Sequence, residues 1–198
     1  DKDGNIYTSV TIGAQVWMVE NLKTTKYNDG TEIPEVTDGG QWRTLTTGAY
    51  CWYVNDASTY KTPYGAYYNW WSVNTGKLCP SGWHVPTDAD MNILITLLGG
   101  IDNAGNKLKE KGTAHWNTLN TTATNESGFT ALPGSTRDGA GGGFSPLGNT
   151  AWYWYNNKSV ADPAYRFIMV GDNGTVTYSS AYTDDGKRHG CNVRCIKN

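Results

Sequence analysis

The stretch "CPSGWHVPTDADM", Cys79 to Met91, decides how this chain is read. Pro80-Ser81-Gly82 is a turn, because these residue types favour tight bends. Thr87 follows as an N-cap, with Asp90 three positions on in a capping-box arrangement. Asp88 and Asp90 sit where the helix dipole favours negative charge. Met91, Leu94, Ile95 and Leu98 then recur at helical spacing, and Gly99-Gly100 supplies the stop. The stretch therefore predicts a turn feeding a helix with one buried stripe. It also holds a thiol, Cys79, and an imidazole, His84, so it is either a structural corner or a reactive cluster. A Cys79 nucleophile would need a free thiol, which an oxidising compartment opposes.

Composition narrows the choice. A chain of 198 residues suits one domain, 1–198, with enough length to bury a core. The formal charge of -2 gives no basic excess for nucleic acid. No run approaches the ~20 apolar residues of a membrane helix. The sequence opens at Asp1 without a leader pattern, as a processed or excised module would. Four cysteines, Cys51, Cys79, Cys191 and Cys195, fit a secreted protein with two disulfides. Cys191 and Cys195 are too far apart on one strand to pair, so each is expected to join Cys51 or Cys79, in an order left open. The 24 glycines indicate many loops, and 9 Trp and 13 Tyr against 3 Phe indicate half-wet surfaces.

Outside the opening stretch the elements are short. "NIYTSVTIGAQVWMVENL" alternates apolar and polar positions on both sides of Gly13-Ala14 and predicts a hairpin, with Ile6, Val10, Ile12, Val16 and Met18 all at even positions. Asp29-Gly30 is a turn. Residues 35 to 62 look irregular apart from a short strand in "AYCWYV". A first helix is expected after Thr62-Pro63, burying Ala66, Trp70 and Val73 and stopping at Gly76. Residues 101 to 150 read as long loops, including "RDGAGGGFSPLG". Three strand regions close the chain: "AWYWY", a hairpin around Asp172-Asn173-Gly174, and "GCNVRCIK". Strands, two helices, loops and strands make an α+β order with small antiparallel sheets.

"IGAQVWMVENLKTTKYNDGTEIP", "YGAYYNWWSV", "CPSGWHVPTDADM", "LLGG", "TNESGFTALPGSTRDG" and "NVRC" occur here in this order. Together they resemble the Fibrobacter succinogenes major paralogous domain, over nearly the whole chain. That family resembles the C-type lectin and formylglycine-generating-enzyme fold group, where "RLPTEAEW" enters a helix and "GFRC" ends the chain. The resemblance implies a C-type-lectin-like fold on a bacterial surface or in a secreted or lipoprotein setting, beside domains that attack plant polysaccharide. It also implies that Cys79 ties the helix entry to the C-terminal strand, that Trp83 plugs the core and that His84 makes one backbone bond. Formylglycine chemistry does not carry over, because "VTYSSAYTDD" lacks the working cysteines. The Glu-Pro-Asn, Gln-Pro-Asp and Trp-Asn-Asp elements of calcium-dependent lectins are absent, and "WYVND" lies before the helices.

Other chemistry has little purchase. No HExxH, GxSxG or phosphate loop is present, and His84, His115 and His189 have no zinc spacing. A structural calcium at "DKDGN" or Asp184-Asp185 would use oxygen ligands, but no cofactor is expected. Glu20, Glu32, Glu35, Glu110 and Glu126 could supply a glycosidase pair. The leading expectation is a non-catalytic, monomeric module, attached to other domains, that binds xylan or cellulose. Aromatic faces would cover sugar rings while polar side chains bond the hydroxyls. Trp42 and Trp116, in polar surroundings, are the expected platforms. In "AWYWY", Trp152 and Trp154 face one way and Tyr153 and Tyr155 the other, so one pair should be exposed. Arg137 and Asp138 would supply hydrogen bonds. An adhesion module with a protein partner and a small glycosidase are the rival expectations.

Overall fold

The hairpin predicted around Gly13-Ala14 forms, and it seeds the main sheet. In the computed structural model, residues 1–117, 120–156, 164–170 and 173–198 are described. In chain order the elements are β1 (Ser9–Ile12), β2 (Gln15–Met18), α1 (Gly39–Trp42), β3 (Tyr50–Cys51), α2 (Ala57–Tyr64), β4 (Tyr67–Tyr68) and α3 (Trp70–Val73). They continue with β5 (Trp83–His84), α4 (Asp88–Leu97), α5 (Ala104–Leu108), β6 (Thr150–Asn156), β7 (Ala164–Val170), β8 (Val176–Ser180), α6 (Asp184–Arg188) and β9 (Ile196–Lys197). The architecture is α+β with short helices. Among the described residues there are six helices rather than two. Among the described residues, no helix is long and apolar enough to cross a membrane.

One sheet has the order β1-β2-β9-β5, so the two ends of the chain pair at Trp17↔Ile196. β3-β4 and β6-β7-β8 form two further antiparallel sheets. Ile6 leaves the expected buried face and is exposed, while Trp17 from the opposite phase is fully buried. Ile6 precedes β1, and the register pairs Trp17 with Val10, so Trp17 shares the face of Val10 and Ile12 over the first cluster while Met18 lies on the other face over the second. The turn at Asp29-Gly30 forms, with Gly30 at φ 91°. The C-terminal hairpin forms from β7 and β8; its turn residue Asp172 lies outside the described residues.

α4 follows its sequence closely. Thr87 Oγ1 accepts from Asp90 N, and Asp90 Oδ2 accepts from Thr87 N at 2.8 Å, closing the capping box. Met91, Leu94, Ile95 and Leu98 are all buried. Gly99 and Gly100 have positive φ, and Gly100 N–H donates to Ile95 O to end the helix.

The helix expected after Thr62-Pro63 starts earlier. Asp56 caps α2 through Thr59 N, and Ser58 Oγ donates to the same carboxylate. Pro63 falls in the last turn, and Gly65 ends the helix at φ 71°, ψ -169°. That backbone region is essentially glycine-only, and a Cβ there would meet Leu22 O at 2.7 Å. Trp70 and Val73 are buried, as expected, but on the separate short α3.

The Asp90 carboxylate gives the fold an acid-sensitive cap. Burial raises its pKa, but bonds from the Thr87 hydroxyl and N–H and from His84 outweigh this and hold it below the usual range. A carboxylate lowered in the folded state stabilises above its unfolded pKa of ~3.9 and loses that contribution as pH falls through the folded value. Urea unfolding from pH 5 downward should therefore lose about 1 kcal/mol of cap stability. Asp90→Asn should be less stable at neutral pH and lack that part of the acid slope.

Candidate functional site

The opening stretch is a structural corner. Cys79 and Cys195 form a disulfide with Cα atoms 6.0 Å apart, fixing the helix entry to the C-terminal strand region. Trp83 is only partly buried and packs on the second of three hydrophobic clusters. His84 bonds to side chains rather than backbone: Nδ1 lies 2.7 Å from Asn198 Oδ1 and Nε2 lies 3.1 Å from Asp90 Oδ2.

The second expected disulfide is not formed; Cys51 and Cys191 are buried free thiols. Cys51 pairs with Tyr67 on one side of β4, and Cys191 bridges Tyr68 on the other. Two strand spacings, ~10 Å, therefore separate them, beyond the ~7 Å reach of a disulfide. Burial pushes the thiols up to about 12 and about 11, so they stay protonated and unreactive at neutral pH.

The expected sugar platform is also inside the protein. Trp42 and Trp154 are 0% exposed, Trp116 2%, Tyr153 0%, Tyr155 2% and Arg137 1%. Trp42 Nε1 donates to Arg188 O, Trp116 Nε1 to Ala131 O and Trp154 Nε1 to Tyr68 O. These bonds satisfy the indoles internally, which is why polar sequence surroundings did not mean solvent. Both faces of β6 are covered, by the first cluster over Tyr153 and Tyr155 and by the second over Trp154. Trp152 alone of that strand's aromatic residues remains partly exposed.

Arg137 and Asp138 shape a loop. Arg137 donates from Nε to Gly142 O, from Nη1 to Val36 O and from Nη2 to Thr37 O. Its guanidinium lies 4.4 Å from the Trp42 ring centroid and 4.9 Å from that of Phe144. Asp138 accepts from Gly141 N at 2.6 Å, and its N–H donates to Gly143 O. The glycine-rich turn is thereby folded so that Phe144 emerges beside Tyr53.

A different aromatic group reaches the surface. Phe144 and Tyr53 have centroids 5.5 Å apart, Tyr53 and Tyr60 4.9 Å, Tyr60 and Tyr64 6.2 Å, and Tyr64 and His115 5.8 Å. Phe144, Tyr53, Tyr60 and His115 are half-buried, and Tyr64 is the buried floor. Tyr60 and Tyr64 share one face of α2 at i, i+4 spacing. Tyr53 starts a 3-10 turn whose next residues, Val54 and Asn55, have φ of 42° and 61°. Val54 is β-branched and 47% exposed, so this conformation is strained. His115 Nδ1 contacts both Glu110 carboxylate oxygens, at 2.9 and 3.0 Å, so the row ends in a polar pair. The Asp56 cap and the Tyr60–Tyr64 spacing were visible signals for α2, but the contact with Phe144 is long-range.

The calcium candidates are occupied by hydrogen-bond donors. Asp1 accepts from Asp3 N, Asn5 N, Asn5 Nδ2 and Tyr7 OH. Asp3 accepts from Thr24 and Thr25. Asp185 pairs with Arg188 at 3.0 Å. Among the described residues, no group of three or more His, Cys, Asp or Glu is placed to hold a metal ion.

The Fibrobacter succinogenes major domain (Fib_succ_major) matches residues 10–197. The chain belongs to this family. No curated protein and no solved structure gave a match.

Proposed function

We propose that this domain is a non-catalytic carbohydrate-binding module for a plant cell-wall β-glycan of the xylan or cellulose type. The row Phe144–Tyr53–Tyr60–His115 carries the reading. It offers several partly exposed ring surfaces in succession, which suits a chain of sugar rings better than a single small ligand. Strain at Val54 beside the row also fits a functional surface. The domain would be secreted or held on a bacterial surface; the disulfide supports an oxidising compartment. A C-type-lectin-like fold belongs to the same reading, supported by the helix entry being tied to the terminal strand region. The module would act as a monomer, raising the effective concentration of an attached enzyme at its substrate.

The test is retention in affinity gels holding xylan, cellulose, mannan or β-glucan, with and without EDTA, while the supernatant is assayed for released sugar. Retention by one glycan without sugar release is expected. Tyr53→Ala and Tyr60→Ala should each weaken it about three- to tenfold, the effect of removing one aromatic contact. No retention on any glycan rejects the proposal. Sugar release moves the assignment to a glycosidase. The protein-partner reading has one specific support, the exposed Ile93 and Leu97 on the outer face of α4, and gains if retention fails.

A further inference from the structure

We propose that the Tyr64 hydroxyl and His115 Nε2 form a polar subsite at one end of the aromatic row, where they bond the hydroxyls of one sugar residue and set which sugar is taken. The inference rests on the glycan reading above and deepens it.

Tyr64 is 7% exposed and lies almost wholly inside the fold. Its backbone is pinned, because Tyr64 O accepts from Asn21 Nδ2 at 2.8 Å and from Asn192 Nδ2 at 2.9 Å. Its hydroxyl bonds to no group among the described residues. Buried tyrosines usually find their hydroxyl a partner, and two others here do: Tyr67 donates to Gly134 O and Tyr68 to Thr24 O. Among the described residues, the side-chain atoms both unpaired and sealed from solvent belong to Asn120, Asn156, Arg166, Asn192 and Arg194. The Tyr64 hydroxyl is not one of them, so it opens outward. Burial, and then the Glu110 carboxylate, push the phenol's pKa up, so the hydroxyl keeps its proton and can donate.

His115 supplies the second group. Its ring meets that of Tyr64 edge-on, with centroids 5.8 Å apart and planes at 86°. Glu110 is itself placed: its N–H donates to Ala131 O at 3.0 Å and its O accepts from Asn120 Nδ2 at 2.8 Å. The Glu110 carboxylate takes up His115 Nδ1 at 2.9 and 3.0 Å. A carboxylate only accepts, so Nδ1 carries the proton, and Nε2 of the neutral imidazole is an acceptor. Nε2 bonds to no described residue and is not sealed from solvent.

The subsite therefore offers a phenol that donates or accepts beside a nitrogen that accepts, both on side chains already fixed. Stacking on Tyr53 and Tyr60 tolerates differences in hydroxyl pattern. Hydrogen bonds do not, because a sugar lacking the matching hydroxyl leaves a site atom unpaired. The rings supply strength and the polar end supplies selection.

The experiment is an NMR titration of the full chain and its variants with tetrasaccharides of xylan, cellulose, mannan and β-glucan, with urea unfolding of each variant. Tyr64→Phe should keep the wild-type urea midpoint, since the hydroxyl bonds nothing inside. Its affinity for the preferred tetrasaccharide should nevertheless fall about three- to tenfold, the effect of one hydrogen bond. His115→Phe keeps the edge contact with Tyr64 and should show a similar fall. In both, the margin between the preferred and the next ligand should shrink, whereas Tyr60→Ala should weaken every ligand by a similar factor. The proposal is overturned if Tyr64→Phe binds like the wild type, if it weakens all ligands equally, or if its urea midpoint drops, which would give the hydroxyl a role inside the fold. If Tyr60→Ala still loses affinity in those cases, the row stands and the polar end alone fails. If no tetrasaccharide binds the wild type and no gel retains it, both readings fall.

Discussion

Replacing Cys79 and Cys195 together by Ala should lower stability by about 4–5 kcal/mol, among the largest losses available to a small change in this domain. The bond joins positions 116 residues apart. In the chain-entropy account, a loop of ~100 residues is worth about 4.7 kcal/mol through restriction of the unfolded chain. The folded side adds to the expectation. Apart from the disulfide, the helix entry is fastened to the chain terminus by the short pairing Trp83↔Lys197 and His84↔Ile196 and by the bonds of Asn198 to Gly82 O and His84 Nδ1. Urea unfolding of the double variant measures the loss. A change below about 1 kcal/mol would show that the ends of the main sheet hold without the covalent tie. Thiol titration gives an independent check: the wild type should expose no thiol when native and two when unfolded under non-reducing conditions, because Cys51 and Cys191 are buried and free.

What the sequence disclosed was local. α4 is legible because its cap, its buried stripe and its glycine stop lie within fourteen consecutive residues, Thr87 to Gly100. The Gly13-Ala14 hairpin is legible for the same reason. Trp42 was misread because its burial is not local: its indole N–H is satisfied by Arg188, 146 positions away. The aromatic run in β6 was misread because alternation assigns one face to solvent only where a sheet has a wet side, and β6 is packed on both. The half-exposed row was hidden for a similar reason. Tyr53 meets Tyr60 locally, but Phe144 reaches Tyr53 from a distant segment, the glycine loop folded around Arg137. Asp56 was an available N-cap for α2, but residues 35 to 62 read as irregular and the helix was expected only after Thr62-Pro63, so the shared face of Tyr60 and Tyr64 was missed. The cysteines divide the same way: four in number suggested two bonds, but the strand between Cys51 and Cys191 keeps them apart.

Arg137→Ala should destabilise the domain by about 3–5 kcal/mol, and it should do so by removing a cation that has no carboxylate partner among the described ion pairs. The guanidinium is instead neutralised by geometry. Three backbone carbonyls, Gly142, Val36 and Thr37, accept its protons, and two aromatic rings, Trp42 and Phe144, cover its faces. Removing it leaves three inward carbonyls without those donors, each such buried group costing about 1–3 kcal/mol, and opens a gap between the rings. Arg137→Lys separates the two contributions. Lysine keeps the charge but has no planar fork to span three acceptors or fill the space between two rings, so it should recover less than half of the lost stability. Trp42→Ala should cost a similar 3–5 kcal/mol, and the Arg137→Ala/Trp42→Ala double variant should lose less than the sum, because both break the same stack. These are urea-unfolding measurements. The functional consequence is separable. Arg137 is buried and touches no glycan in the proposed mode, yet it sets the position of Phe144. In Arg137→Lys, assayed at a temperature where it remains folded, retention by the glycan gel should therefore fall. Unchanged retention would mean that Phe144 is not part of the binding surface and that the row begins at Tyr53.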